Sequence, residues 1–104
     1  MPVKFRAEFT RSAEKDFEEI WTYIAADSPV AAANFVLALE RQISTLEQFP
    51  ERCPMIPENA LLGSRYRHLV FGAYRTLFRI EGKTVYVLRV IHGARLLDSS
   101  MFET

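Results

Sequence analysis

The chain has 104 residues, 49% of them hydrophobic and 25% charged, the make-up of one ordinary globular domain with a single core. Its one cysteine, Cys53, excludes an internal disulfide and reads as a reduced spectator thiol. No apolar run approaches the roughly 18 residues of a membrane span, and residues 1–9 (MPVKFRAEF) lack a signal peptide's apolar stretch, so a cytoplasmic protein with no membrane partner is expected.

Formal net charge is zero, but residues 1–63 hold 6 Lys/Arg against 10 Asp/Glu and residues 64–104 hold 7 against 3. The basic part is otherwise apolar. That combination predicts an anionic partner, either nucleic acid or an acidic protein segment.

In residues 3–9, Val3, Phe5, Ala7 and Phe9 alternate with Lys4, Arg6 and Glu8, the pattern of a half-buried strand. Thr10 or Ser12 then caps a helix reaching about Ala26, with Ala13, Phe17, Ile20 and Ile24 as its apolar stripe. Glu14, Asp16, Glu18 and Glu19 fill its N-terminal half, where the helix dipole favours acids. Asp27-Ser28-Pro29 restarts the chain, with Ser28 as cap and Pro29 as first helical residue. The second helix runs to about Gln48 on a stripe of Ala32, Phe35, Val36, Leu39, Ile43 and Leu46. So short a junction predicts an antiparallel helical hairpin.

Residues 49–64 contain Pro50, Pro54, Pro57 and Gly63 and read as an irregular crossover with a short helical turn near Glu58–Leu62. Strands follow at Tyr66–Phe71, Tyr74–Ile80 and Thr84–His92, with Gly72 and Gly82 in the tight turns. Residues 96–104 carry weak signals and are expected to form a flexible tail. There is no repeat and no low-complexity segment, so residues 1–104 form a single domain. The fold class is α+β, ordered β-α-α-β-β-β: an antiparallel sheet including the N-terminal strand, with the helical hairpin packed on one face.

Arginines recur within these strands, at Arg67, Arg75, Arg79 and Arg89, with Arg95 just beyond. An arginine in a strand needs water, an acid or an anion. Alternation puts Arg75, Leu77 and Arg79 on one side and Tyr74, Thr76, Phe78 and Ile80 on the other. The first set is expected on the open face of the sheet. Strict alternation groups Arg89 with Val85, Val87 and Ile91, and His92 with Tyr86, Leu88 and Val90; both sides are apolar, so the face is undecided without register. Metal-free RNA cleavage would need a base, an acid and cations at one phosphate. Arg75, Arg79 and Arg95 could clamp a phosphate and His92 could move a proton, but neither His68 nor Glu81 clearly completes the pair. One cysteine and two histidines, Cys53, His68 and His92, have no metal-ligand spacing, and no glycine-rich phosphate loop or other cofactor motif is present. Trp21 and Tyr23 flank the first helix's stripe and are candidates for partner contact, whereas Phe35 belongs to the core.

Several patterns in this order carry a resemblance: Ala13, Asp16, Phe17, Ile20, Tyr23, Ile24 and Ala25; Asp27-Ser28-Pro29 with Ala31-Ala32; Phe35, Leu39, Ile43 and Leu46; Phe49-Pro50; Tyr66-Arg67; Tyr74-Arg75 with Phe78-Arg79; and Val87-Leu88-Arg89-Val90 with His92-Gly93-Ala94-Arg95. Over about residues 3–97 the chain resembles the RelE/ParE superfamily of bacterial type II toxin–antitoxin toxins, the ParE branch more than the RelE branch. The resemblance implies the fold just derived and a ParD-like cognate antitoxin that wraps and neutralises the toxin in a hetero-oligomer. It implies DNA gyrase as the target in the ParE case, and messenger RNA in the ribosome in the RelE case. Arg75 matches a phosphate-contacting position of ribosome-dependent relatives, and His92 falls near a catalytic one, but their assisting Lys or Glu groups have no clear equivalent. The expectation is a gyrase inhibitor acting by binding. The alternatives are a ribosome-dependent endoribonuclease and a degenerate toxin that retains only antitoxin binding. Arg75→Ala or Arg79→Ala is expected to weaken toxicity, antitoxin binding or both, because an antitoxin would set acids against these arginines.

Overall fold

The computed structural model describes residues 4–102. Strand β1 spans Arg6–Phe9, helix α1 Arg11–Ala25 and helix α2 Pro29–Ser44; after the crossover come a short helix α3 at Asn59–Leu62 and strands β2 (Arg67–Phe71), β3 (Tyr74–Glu81) and β4 (Thr84–His92). Val3, expected at the start of β1, lies outside the described residues.

Thr10 ends β1 and starts α1. Its hydroxyl oxygen accepts from Ala13 N–H at 3.1 Å and donates to the Leu88 carbonyl at 2.9 Å, so one side chain caps the helix and ties it to β4. Ser28 caps α2 by accepting from Ala31 N–H at 3.1 Å, with Pro29 in the first turn. Helix α2 stops earlier than the expected Gln48: its regular turns end at Ser44, and Thr45–Glu47 tighten into a 3-10 turn.

The sheet order is β1-β4-β3-β2. Strands β2, β3 and β4 are antiparallel neighbours, but β1 runs parallel to β4, so the sheet is mixed rather than wholly antiparallel. Both hairpins use two-residue loops, Gly72-Ala73 and Gly82-Lys83, and Gly72 and Gly82 have φ of 57° and 61°. A Cβ at either glycine would meet nothing within 4 Å, so it is backbone conformation rather than space that calls for glycine there.

One face of the sheet meets the helical hairpin. Ala13, Ile20, Leu39, Ile43 and Leu46 pack with Phe78, Val85, Val87 and Val90, and Cys53 is buried among them. The opposite face is not open, contrary to the sequence expectation. Ile56 from the crossover and Met101 from the C-terminal segment cover Leu77 and Ile91, with Tyr66 and Phe102 stacked at 4.8 Å beside them. The segment expected to fray supplies part of this cover: Ser99–Phe102 form a 3-10 turn and Met101 is buried. Residues 103–104 of that segment lie outside the described residues.

A bulge settles the ambiguous strand. Leu77 pairs with Arg89 but Phe78 pairs with Val87, leaving Leu88 without a partner. One extra residue reverses the alternation beyond it. Arg89 and Ile91 therefore do not share a side with Val85 and Val87, as unbroken alternation would require. His92 lies opposite Tyr74 of the helix-covered face, whose ring packs on Phe35. No helix among the described residues is long and apolar enough to cross a membrane.

Candidate functional site

Arg75 sits between Val70 of β2 and Ile91 of β4, with its side chain only 7% exposed. Glu58, at the start of α3, takes both terminal nitrogens: Nη1 donates to Oε1 at 3.1 Å and Nη2 to Oε2 at 2.6 Å. This fork ties the crossover to the middle of the sheet. Its hydrogen bonds to Arg75 hold the Glu58 carboxyl below the usual carboxylate range. Arg75 Nη1 also lies 3.4 Å from His68 Nδ1. A guanidinium cannot accept, so this contact requires a neutral imidazole with its proton on Nε2. Burial, and then the Arg75 charge, push the His68 pKa down and favour that form.

Arg89 is the second buried fork. Its Nε and Nη2 donate to the two oxygens of Asp16 at 2.7 and 2.9 Å, and Nη1 donates to the Met101 carbonyl at 3.0 Å. Asp16 also accepts from Val90 N–H at 2.9 Å. The pairing of β1 with β4 ends at Phe9–Val87, so β1 offers nothing to that amide. One carboxylate thus satisfies an edge amide and neutralises an arginine that in turn holds the C-terminal turn.

The remaining arginines differ in exposure and partners. Arg67 Nη1 donates to the carbonyls of Glu51 and Cys53 at 3.1 and 2.6 Å, fastening the crossover's start to β2. Arg79 pairs with Glu81 and lies 4.3 Å over the Tyr86 ring, with its side chain 40% exposed. Arg95 is exposed and borders a cavity of about 310 Å3 with His92, Tyr74, Tyr23 and Glu19. The His92 ring meets Tyr74 edge-on at 5.8 Å, and its Nδ1 accepts from Ala94 N–H at 3.2 Å. Arg75 is paired with Ile91, the residue before His92, so Arg75 and His92 project from opposite faces of the sheet. Tyr23 is 73% and Trp21 44% exposed, which leaves both accessible to a partner. Among the described residues no group of three His, Cys, Asp or Glu is arranged to hold a metal.

A groove of about 430 Å3 lies elsewhere, between β1 and the two long helices. Ala7, Phe9, Phe17 and Ile43 line it, with Glu14 and Glu40 among its acids.

The family model described as the ParE toxin of the type II toxin–antitoxin system parDE matches residues 7–97. The chain belongs to this family. It is similar to a chain of the chromosomal ParDE TA system from P. aeruginosa, with a TM-score of 0.68, 22% identity and coverage of 86% of this chain and 96% of that one. It is also similar to a chain of the toxin–antitoxin complex RelBE2 from Mycobacterium tuberculosis, with a TM-score of 0.58, 29% identity and coverage of 86% and 99%. No curated protein matches it.

This ParE-family toxin is therefore a type II toxin of the RelE/ParE superfamily, with the α+β fold expected of it. Sequence reasoning found the arginines but missed Glu58 and Asp16, the acids that engage Arg75 and Arg89. Asp16 carried a signal: it lies three residues after Ala13 and four before Ile20, on the buried stripe rather than the exposed face. Glu58 carried none, because it stands in an irregular crossover whose path only the folded chain defines.

Proposed function

We propose that this ParE-family toxin inhibits DNA gyrase in the cytoplasm by binding it, with no bond made or broken by its own residues, and that a ParD-like cognate antitoxin neutralises it. The observation supporting binding over RNA cleavage is the separation of the two candidate catalytic residues. General acid–base cleavage brings proton donor, acceptor and cation to one phosphate. His92 and Arg75 lie on opposite faces of the sheet, and the Arg75 fork is already filled by Glu58. A phosphate reaching Arg75 would have to displace that carboxylate and open the cover over Leu77 and Ile91.

The test is a supercoiling assay with purified gyrase and toxin, run beside a transcriptome-wide search for codon-positioned cuts during growth arrest. Loss of supercoiling with intact messages is expected, and His92→Ala should inhibit as well as the unaltered toxin. Cut messages with unaffected supercoiling would establish the ribosome-dependent endoribonuclease instead.

A further inference from the structure

Beyond Val87, β4 has no strand beside it on the β1 side among the described residues, and α1 flanks it instead. Asp16 closes the near end of that flank by accepting from Val90 N–H. Two residues further along an antiparallel strand the backbone turns the same way, so the His92 N–H points to this side too. Here lies the pocket of about 310 Å3. Ile20 and Val90, both buried, form its floor. Tyr23 and Glu19 of α1, with Tyr74 and Arg95 across from them, form its rim.

This corner holds polar groups that the chain itself leaves without partners. Of the five arginines that the sequence offered to a partner, Arg67 is held by carbonyls, and Arg75, Arg79 and Arg89 by acids. Arg95 alone has a guanidinium with no fixed partner among the described residues. Leu96, next in the chain, is 89% exposed, and Tyr23 is exposed on the facing helix. Exposed tyrosine and arginine around an apolar floor are the make-up of an interface hot spot. The His92 ring is turned edge-on to Tyr74 and its Nδ1 to Ala94 N–H, so the imidazole is not among the anchors.

Charge selects the occupant. Glu18 and Glu19 are exposed on α1 and form no salt bridge among the described residues, so DNA laid along this corner would meet like charge. A single carboxylate reaching Arg95 beside an apolar side chain meets no such opposition. The pocket is at the small end of the roughly 300–1,000 Å3 of ligand sites and suits one large side chain.

We infer that the target protein docks on this corner, through a segment that places one large apolar side chain over Ile20 and Val90 and one carboxylate on Arg95. Tyr23 packs on the inserted side chain, and the His92 N–H, which His92→Ala keeps, donates to the segment's backbone. This inference rests on the reading proposed above, that the toxin acts by binding gyrase.

Interferometry of the full toxin on purified gyrase, with and without a DNA duplex, tests it. Tyr23→Ala should bind at least about tenfold more weakly, and Arg95→Glu about five- to fiftyfold more weakly, with inhibition of supercoiling falling in step. Both side chains are exposed, so urea midpoints should stay at the unaltered value, and Leu61→Ala, at an exposed site on α3, should bind as the unaltered toxin does. If the unaltered toxin binds gyrase and either variant binds as tightly, this inference alone is overturned, whether or not the variant has lost antitoxin binding. A loss confined to the sample with DNA gives the corner to nucleic acid and overturns it. Self-association of the toxin that Tyr23→Ala abolishes gives it to a second copy, with the same consequence. Failure of the unaltered toxin to bind gyrase overturns the gyrase reading, and this inference with it.

Discussion

Asp16→Ala should be among the costliest single substitutions in this protein. The carboxylate is 4% exposed and accepts three hydrogen bonds, two from Arg89 and one from Val90 N–H. Its removal strands a guanidinium whose side chain is 13% exposed and a buried edge amide. Breaking a buried pair on one side costs about 3–5 kcal/mol, and an orphaned amide about 1–3 kcal/mol; the two share one acceptor and do not add in full. A loss of about 3–5 kcal/mol is expected, a large fraction of a small domain's stability. In urea, with a slope of about 1–1.5 kcal/mol/M, the midpoint should fall by roughly 2–5 M. Asp16→Asn keeps an acceptor for Val90 and should lose about half as much, so it remains measurable if the alanine variant does not fold. Asp16→Leu/Arg89→Met, which removes both charges, should cost less than Asp16→Ala alone. If Asp16→Ala shifts the midpoint by no more than a surface ion pair would, under about 1 kcal/mol, the view of this pair as a buried clamp is wrong.

The arginines should separate by burial: Arg75→Ala strands Glu58 and should cost about 2–4 kcal/mol by urea titration, whereas Arg79→Ala, at a partly exposed pair and ring contact, should cost under about 1.5 kcal/mol. Toxicity lost with Arg75→Ala but not with Arg79→Ala should then track folded protein, which circular dichroism checks. Acid should weaken the fold in two stages. His68 has a folded pKa below its unfolded value near 6.5, so its contribution is full above that pH and is lost as pH falls below it. Glu58 is depressed below 4.5 in the folded state, so its contribution is present above that pH and fades below it. Urea midpoints measured from pH 8 to pH 3 should show both stages, with His68→Gln removing the upper one and Glu58→Gln the lower. Induction of the toxin without antitoxin should arrest growth; normal growth with intact antitoxin binding would mean that only the binding function survives.

Much of the architecture was legible because it is written in local chemistry. Thr10 and Ser28 cap helices through their own side chains, Pro29 suits a first helical turn, and Gly72 and Gly82 adopt positive φ in two-residue turns. Those rules act over a few residues, and period-3.6 and period-2 patterns between such signals yield the helices and strands. The direction of β1 was not legible, since its parallel partner lies some eighty residues away and alternation is the same either way. Nor was the bulge at Leu88, because β4 is apolar on both sides and a shift of one residue leaves its composition unchanged.

The arginines show most clearly where local pattern ends. Alternation alone places charge inside apolar strands, puts Arg75 and Arg79 on one side, and demands a partner for them. The partners came with folding: Glu58 arrives from an irregular crossover and Asp16 from a helix more than seventy residues before Arg89. Periodicity reports which way a side chain points relative to its neighbours. It does not report what another part of the chain brings to meet it, and the energy of a buried charge depends on that meeting. The same reasoning shows the basic face covered, while an apolar groove between β1 and the two long helices stays open, bordered by Glu14 and Glu40, which form no salt bridge among the described residues.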